Sequence, residues 1–364
     1  FYVVTAKNII GEGTASDEDR ATPSDSILIS SLVFPDPNLA QCISDTALDF
    51  SHTYIYELTS LICDYKNISD ISGVNALTSL KRLSLNGNSF ADITPLSSMS
   101  WLASLDIPGF GAITPSSFAP ISGMTNLVAI DFSNHNNNFN NFSDLSGLVN
   151  LRSVNIGFNG VTDISFLANM TGLTTLDLSF NENIVNLPLI YSFTKMESLT
   201  LWSTGLTDVS QLSSFPDLKV INLLRNSISD VSVLSGLTKL ENVNVGDNNI
   251  SNINFLANLD KLRFLNISDN NIFDISLLSA KPDIVWLYMN GNNISDLSAI
   301  ASMTEMRILY IGDNNISDFS IISGMDSLQI FEAANSGLSN IDFLAGKVSL
   351  SQLLLLSLIH ISEP

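Results

Sequence analysis

A 22-residue unit recurs in phase from Leu58 to Leu350, thirteen times over, with a partial copy after it. A regular copy reads Leu240-Glu-Asn-Val-Asn-Val-Gly-Asp-Asn248-Asn-Ile250-Ser-Asn-Ile253-Asn-Phe-Leu256-Ala-Asn-Leu259-Asp-Lys261. One such unit cannot bury its own apolar face. Stacked on its neighbours, it becomes one coil of a continuous core, so a period of this size dictates a solenoid. A solenoid offers a long open surface rather than a closed pocket, which points to binding before chemistry.

Within the unit, apolar residues alternate at Leu83/Leu85, Val154/Ile156, Leu176/Leu178, Ile221/Leu223, Val243/Val245, Leu265/Ile267, Leu287/Met289 and Leu309/Ile311. This alternation predicts a short strand with one buried face. Five residues after the first of each pair stands Asn88, Asn159, Asn181, Asn226, Asn248, Asn270, Asn292 or Asn314. Asn carries two donors and an acceptor, so a stacked column of them can bond turn backbone in its own and the adjacent coil. Apolar residues three apart then follow, as in Val231, Leu234, Leu237 and Leu240, and predict a short helical or 3₁₀ return. Asp230, Asp274, Asp296 and Asp318 are its cap candidates. The third unit is stretched between Leu102 and Leu127 and carries Pro108, Pro115 and Pro120. The fourth gains residues within Asn134–Asn141, and the sixth gains one near Asn183. Lys66, Phe110, His135, Thr204 and Ser336 replace the column Asn, which a tolerant array accommodates.

The unit resembles the leucine-rich repeat, in the 22-residue class of bacterial internalins and intracellular phosphatase regulators. The resemblance covers about four-fifths of the chain (58–355). It implies an α/β solenoid with a concave parallel β-sheet and short helical or 3₁₀ convex segments. At about 4.8 Å between strands, the sheet would be roughly 60 Å long.

The ends read differently. Residues 1–23 resemble the last hairpin of a fibronectin type III domain, through aromatic/aliphatic alternation, Ala6, Asn8, Gly11, Ser16 and the closing Ala21-Thr-Pro23. Two such strands would not hold their fold alone. No signal peptide is visible. At the other end, Leu350, Leu353 and Leu355 open a fourteenth unit, which Leu356–Pro364 then abandons. Those nine residues are what CTG TCT CTT ATA CAC ATC TCC GAG CCC encodes, which looks like a sequencing-library adapter read as protein. The expectation is that 356–364 is an artefact and that His360 has no role.

Residues 24–57 hold a linker and a cap. Asp36 is a helix N-cap candidate with Pro37 at the first helical position, and Leu39, Ile43 and Ala47 share one face. The Phe34-Pro-Asp-Pro-Asn-Leu39 run resembles the N-terminal helical cap of secreted bacterial leucine-rich proteins. The only cysteines, Cys42 and Cys63, would then lie on the cap helix and at the first strand. They are a disulfide or two buried thiols. The resemblances at the cap and the N-terminus both imply an oxidising compartment, which favours a bridge contributing about 3 kcal/mol.

Thirty-six acidic against fifteen basic residues give a net charge of −21, which disfavours nucleic acid and anionic membranes as partners. No uninterrupted apolar run is long enough to span a membrane. His52 and His135 have no companions at metal-ligand spacing, and neither a phosphate loop nor a nucleophile elbow is present. The expectation is no enzyme, no cofactor and no metal. Asp247, Asp269 and Asp313 form an acidic column that turn chemistry explains more simply than calcium. The Asn-Ile-Ser triplets match glycosylation acceptors only because the repeat recurs.

Residues pointing outward from the concave sheet carry the functional signal. In the N-terminal half they are small or acidic: Ser84, Asp106, Asp131, Asn155 and Asp177. From the seventh unit on, one column reads Val220, Asn242, Phe264, Trp286, Ile308, Ile330, and its neighbour Asn222, Asn244, Asn266, Tyr288, Tyr310, Glu332. Trp202 and Leu224 belong to a third. The candidate ligand-binding residues are therefore Trp202, Leu224, Phe264, Trp286, Tyr288, Ile308, Tyr310 and Ile330. Clustered aromatics on a rigid sheet are the material of interface hot spots, and the internalin resemblance implies the same use. The sequence suggests a secreted or surface-exposed bacterial module that binds a protein or glycan. The alternatives are a targeting or spacer module of a larger secreted enzyme and an intracellular phosphatase-type scaffold.

Overall fold

The computed structural model describes residues 27–109, 117–135 and 142–355, together with the backbone of a two-stranded pair near the start. In that pair Lys7 faces Glu12 and Asn8 faces Gly11, antiparallel. The fibronectin-like reading of 1–23 and the adapter reading of 356–364 otherwise fall outside the described residues, as do Phe110, Pro115 and the 136–141 insertion.

Fourteen three-residue strands, from Ser60–Ile62 to Gln352–Leu354, form one parallel sheet in strict chain order. Their central residues (Leu61, Leu83, Val243, Leu287 and Leu309 among them) are buried, except Leu353 of the last strand, which is exposed. The return path is 3₁₀ throughout, and the cap helix Pro37–Asp49 is the one α-helix among the described residues. The spacing explains this choice. Val231, Leu234, Leu237 and Leu240 are all buried, and a strict three-residue interval keeps one face inward only at three residues per turn. An α-helix would need mixed three- and four-residue steps. Asp230, Asp274, Asp296 and Asp318 each accept the N–H two residues on, from Ser232, Ser276, Ser298 and Ser320, at 2.7–2.9 Å.

The asparagine column ties the coils together. Asn248 Nδ2 donates to the carbonyls of Leu223 in the preceding coil (3.0 Å) and of Val245 (3.1 Å) and Gly246 (2.8 Å) in its own. Its Oδ1 accepts the Ile228 N–H at 3.0 Å. Asn181, Asn226, Asn270, Asn292 and Asn314 repeat the pattern. The replacements degrade it by degrees. The Ser336 hydroxyl bonds only the Ala333 carbonyl of its own coil, and the Thr204 hydroxyl bonds the Leu201 carbonyl at 2.9 Å and, at 3.5 Å, Asn226 Oδ1 of the next coil; neither reaches a carbonyl of the preceding coil. His135 is 2 % exposed and fills the column position with its imidazole against the preceding coil. Asn159 in turn accepts the His135 N–H at 2.9 Å. Gly109 makes room for the ring, because a Cβ there would overlap the imidazole and lie 2.9 Å from the Asn134 carbonyl.

The entry cap is fastened twice. Cys42 and Cys63 form a disulfide with Cα atoms 5.8 Å apart. Asp36 caps the helix by accepting from Asn38 N–H (2.8 Å) and Leu39 N–H (3.1 Å), while its other oxygen accepts from Ser69 N–H (2.7 Å) and Asp70 N–H (3.1 Å) in the first coil. Burial alone would raise its pKa, but these bonds outweigh it and hold the carboxyl at about 2. At the other end of the array, Lys281 and Lys347 occupy positions that hold Leu237, Leu259, Met303 or Met325 in other units. Their stems are buried, and each ammonium reaches an exposed carboxylate, Asp260 at 2.7 Å or Asp326 at 2.8 Å.

Candidate functional site

Strict register turns sequence columns into surface columns. Val220, Asn242, Phe264, Trp286, Ile308 and Ile330 face one another in succession across adjacent strands. Asn222, Asn244, Asn266, Tyr288, Tyr310 and Glu332 do the same beside them. Between Phe264 and Tyr310 the rings touch. Phe264 meets Trp286 edge-on at 6.2 Å between centroids and Tyr288 at 5.6 Å, and Tyr288 stacks on Tyr310 at 4.8 Å. Trp286 is 43 % exposed, and Phe264, Tyr288, Ile308, Tyr310 and Ile330 are half-buried. The rings shield one another along the sheet and leave their outer faces to solvent. Burial, with Tyr310 beside it, raises the Tyr288 phenol above its ordinary pKa, so it remains a neutral donor. Rigid rings with hydroxyl tips lose little conformational freedom when a partner covers them.

Trp202 and Leu224 lie apart from this patch. Elsewhere their column holds mostly small residues, such as Ser133, Gly157, Ser179, Gly246, Ser268 and Gly312. Trp202 packs edge-on against Phe180 at 4.5 Å and Phe158 at 5.9 Å, and these two stack at 4.1 Å. Phe158 and Phe180 sit at φ 61° and 56°, at the position just before the column Asn. Gly291, Asp247, Asp269 and Asp313 hold that left-handed position in other coils, where glycine or a short polar side chain fits at less cost. An aromatic there runs against backbone preference, which was the available clue to this second ring cluster.

The acidic half differs from its expected form at one residue. Ser84 is 4 % exposed rather than outward-facing, because its hydroxyl turns to Asp64 at 2.6 Å. Asp106, Asp131 and Asp177 line a shallow trough of about 370 Å³ with Arg82, Ser153, Asn155, Thr175 and Thr200. Arg82 pairs with Asp106 at 3.1 Å. Burial, then repulsion from neighbouring carboxylates, raises the pKa of Asp177; Asp106 is raised the same way, against the pull of Arg82. A further cavity of about 290 Å³ lies among convex turn residues such as Asp230 and Asn252, whose side-chain oxygens are occupied in accepting the Ser232 and Asn254 N–H groups of their own turns. Among the described residues no cluster of three or more His, Cys, Asp or Glu is arranged to hold a metal, and no helix is long and apolar enough to cross a membrane.

The comparisons with known proteins agree with this architecture. Residues 149–191 match the leucine rich repeats (2 copies) family. An internalin of Listeria monocytogenes superposes with TM-score 0.69 at 27 % identity, over 91 % of this chain and 98 % of its own. A leucine-rich-repeat protein of Leptospira interrogans gives 0.55 at 17 %, over 85 % and 93 %. The plant peptide hormone receptor RGFR1, in complex with RGF2, gives 0.56 at 19 %, over 83 % of this chain and 56 % of its own. No curated protein matches by sequence. Fourteen parallel strands in one open sheet, returned by 3₁₀ turns and held by an asparagine column, make this chain a leucine-rich-repeat solenoid, similar in fold to the Listeria internalin.

Proposed function

We propose that the solenoid is a secreted or cell-surface binding module that grips a protein or glycan partner on the aromatic patch of its concave face. The patch carries this reading: Phe264, Trp286, Tyr288 and Tyr310 form one chain of ring contacts on neighbouring strands. A partner's side chains can desolvate these rings without moving the backbone that presents them. The likeness to a Listeria internalin and the Cys42–Cys63 disulfide support a surface or secreted setting. In the same reading residues 1–23 are the end of a fibronectin type III-like domain and 24–57 the entry cap.

Trp286→Ala combined with Tyr288→Ala is expected to weaken partner capture about 100-fold, as two hot-spot residues would. Both side chains stand outside the core, so the melting temperature should move by only about 2 °C. Titration calorimetry with the partner and scanning calorimetry of the free variant check the two halves. Undiminished capture in the folded double variant would remove the patch from the binding site.

A further inference from the structure

Three side-chain amides beside the aromatic patch carry donors that the fold does not use. Asn222, Asn244 and Asn266 face one another on successive strands. Each Oδ1 accepts the backbone N–H two residues on, from Leu224, Gly246 and Ser268, at 2.9–3.2 Å. That bond fixes which way the amide is turned and points Nδ2 away from its own turn. Among the described residues no acceptor meets these three Nδ2 groups. Asn155, at the same place in the N-terminal half, instead donates its Nδ2 to Asp131 at 3.0 Å. Tyr288 and Tyr310 continue the row on the next two strands, so five successive coils each present one neutral donor.

Charge is absent along this row. From Ser198–Thr200 to Ile308–Tyr310 the two outward residues of each strand are uncharged, whereas Asp177 precedes the stretch and Glu332 follows it. On a chain at −21, an uncharged run of this length favours a neutral ligand.

The spacing bears on the chemistry of that ligand. The Tyr288 and Tyr310 rings lie 4.8 Å apart, the interval between strands. Carbonyls on one side of an extended peptide recur every second residue, about 6.6 Å apart, and fall out of step with such a row within two coils. A chain of β-1,4-linked hexopyranoses advances by close to one strand spacing per ring. Its oxygen-bearing edge can accept from one donor per coil, and its C–H faces can cover the Phe264 and Trp286 rings alongside.

We infer that the concave row from Asn222 to Tyr310 binds an uncharged β-1,4-linked hexopyranose chain laid along the solenoid, one sugar per coil. This rests on the proposed binding role of the concave face and narrows its partner to a glycan.

The probes are cellohexaose and chitohexaose, with cellobiose and the α-linked maltohexaose for comparison, and titration calorimetry reads the affinity. The variant Asn222→Thr, Asn244→Thr, Asn266→Thr withdraws the three amides and installs the side chain that Thr200 already supplies in the same column. At least one β-1,4 hexamer is expected to saturate the unaltered chain, and to bind more tightly than cellobiose or maltohexaose. The triple variant should bind it at least about 10-fold more weakly, with a melting temperature within about 2 °C of the parent. If the triple variant does not fold, Asn244→Thr alone decides, with an expected weakening of about 3-fold. No saturable binding of either hexamer would overturn the inference. So would equal affinity for cellobiose and the hexamers, or undiminished affinity in the folded variant. If neither hexamer binds but a protein partner is captured, and that capture is lost in Trp286→Ala with Tyr288→Ala, the patch keeps its binding role and the glycan is excluded.

Discussion

Asn248→Ala is expected to destabilise the solenoid by about 3–5 kcal/mol, more than any single change on its surface. The side chain is buried and makes four hydrogen bonds, three donated to carbonyls and one accepted from Ile228 N–H. Alanine would orphan backbone groups in two adjacent coils. Asp at this position should be nearly as costly, because a carboxylate cannot donate to the Leu223, Val245 and Gly246 carbonyls. Each coil contacts only its neighbours, so the break should also lower cooperativity and let the two halves unfold separately. Urea unfolding followed by circular dichroism and by Trp fluorescence would show it as a lower midpoint and non-coincident curves. Ser336→Ala, which loses one bond to Ala333, is the mild comparison.

The second large effect comes with acid and belongs to His135. Burial holds its pKa down at about 4, against an ordinary value of 6.5. The folded chain keeps the ring neutral down to about pH 4, whereas the unfolded chain takes up the proton near 6.5. Between those values the unfolded state binds more protons, so stability falls as pH drops. Above 6.5 the cost is absent; below about 4 it is complete, at about 3 kcal/mol. Asp106 and Asp177 work in the opposite sense, since their raised pKa values mean that acid relieves the folded state. Comparison with His135→Asn isolates the histidine: Asn refills the column position without a titrating group. The drop in unfolding free energy from pH 7.5 to 4 should be smaller in the variant by about 3 kcal/mol. An equal drop in both proteins would place the acid sensitivity elsewhere.

Much of the fold was legible because its causes are periodic. The three-residue apolar interval marks a short helical or 3₁₀ return, which the structure makes 3₁₀; the alternating pair specifies the strand, and the column Asn specifies the bond between coils. The concave columns followed by counting, since register in a solenoid is fixed by the length of the coil. Departures from the period were not legible. Lys281 and Lys347 look like breaks in the core until their ammonium groups are seen to reach Asp260 and Asp326. Ser84 has an outward position, but Asp64 turns it inward. Phe158 and Phe180 gather around Trp202 only because their backbone is left-handed, and nothing in apolar periodicity encodes that angle. The Cys42–Cys63 bridge could not be distinguished from two buried thiols until the cap helix was set against the first coil.

A partner bound on the concave aromatic patch would lie within crosslinking reach of Tyr310 and Ile330. Site-specific photo-crosslinking reads this out, with a benzophenone side chain placed in turn at Tyr310 and Ile330 on the patch and at Val233 and Leu277 on the convex side. With the partner recovered by the unaltered solenoid, covalent adducts are expected from Tyr310 and Ile330 and none from Val233 or Leu277. Adducts confined to the convex positions would contradict it and move the binding surface to the opposite side of the coil.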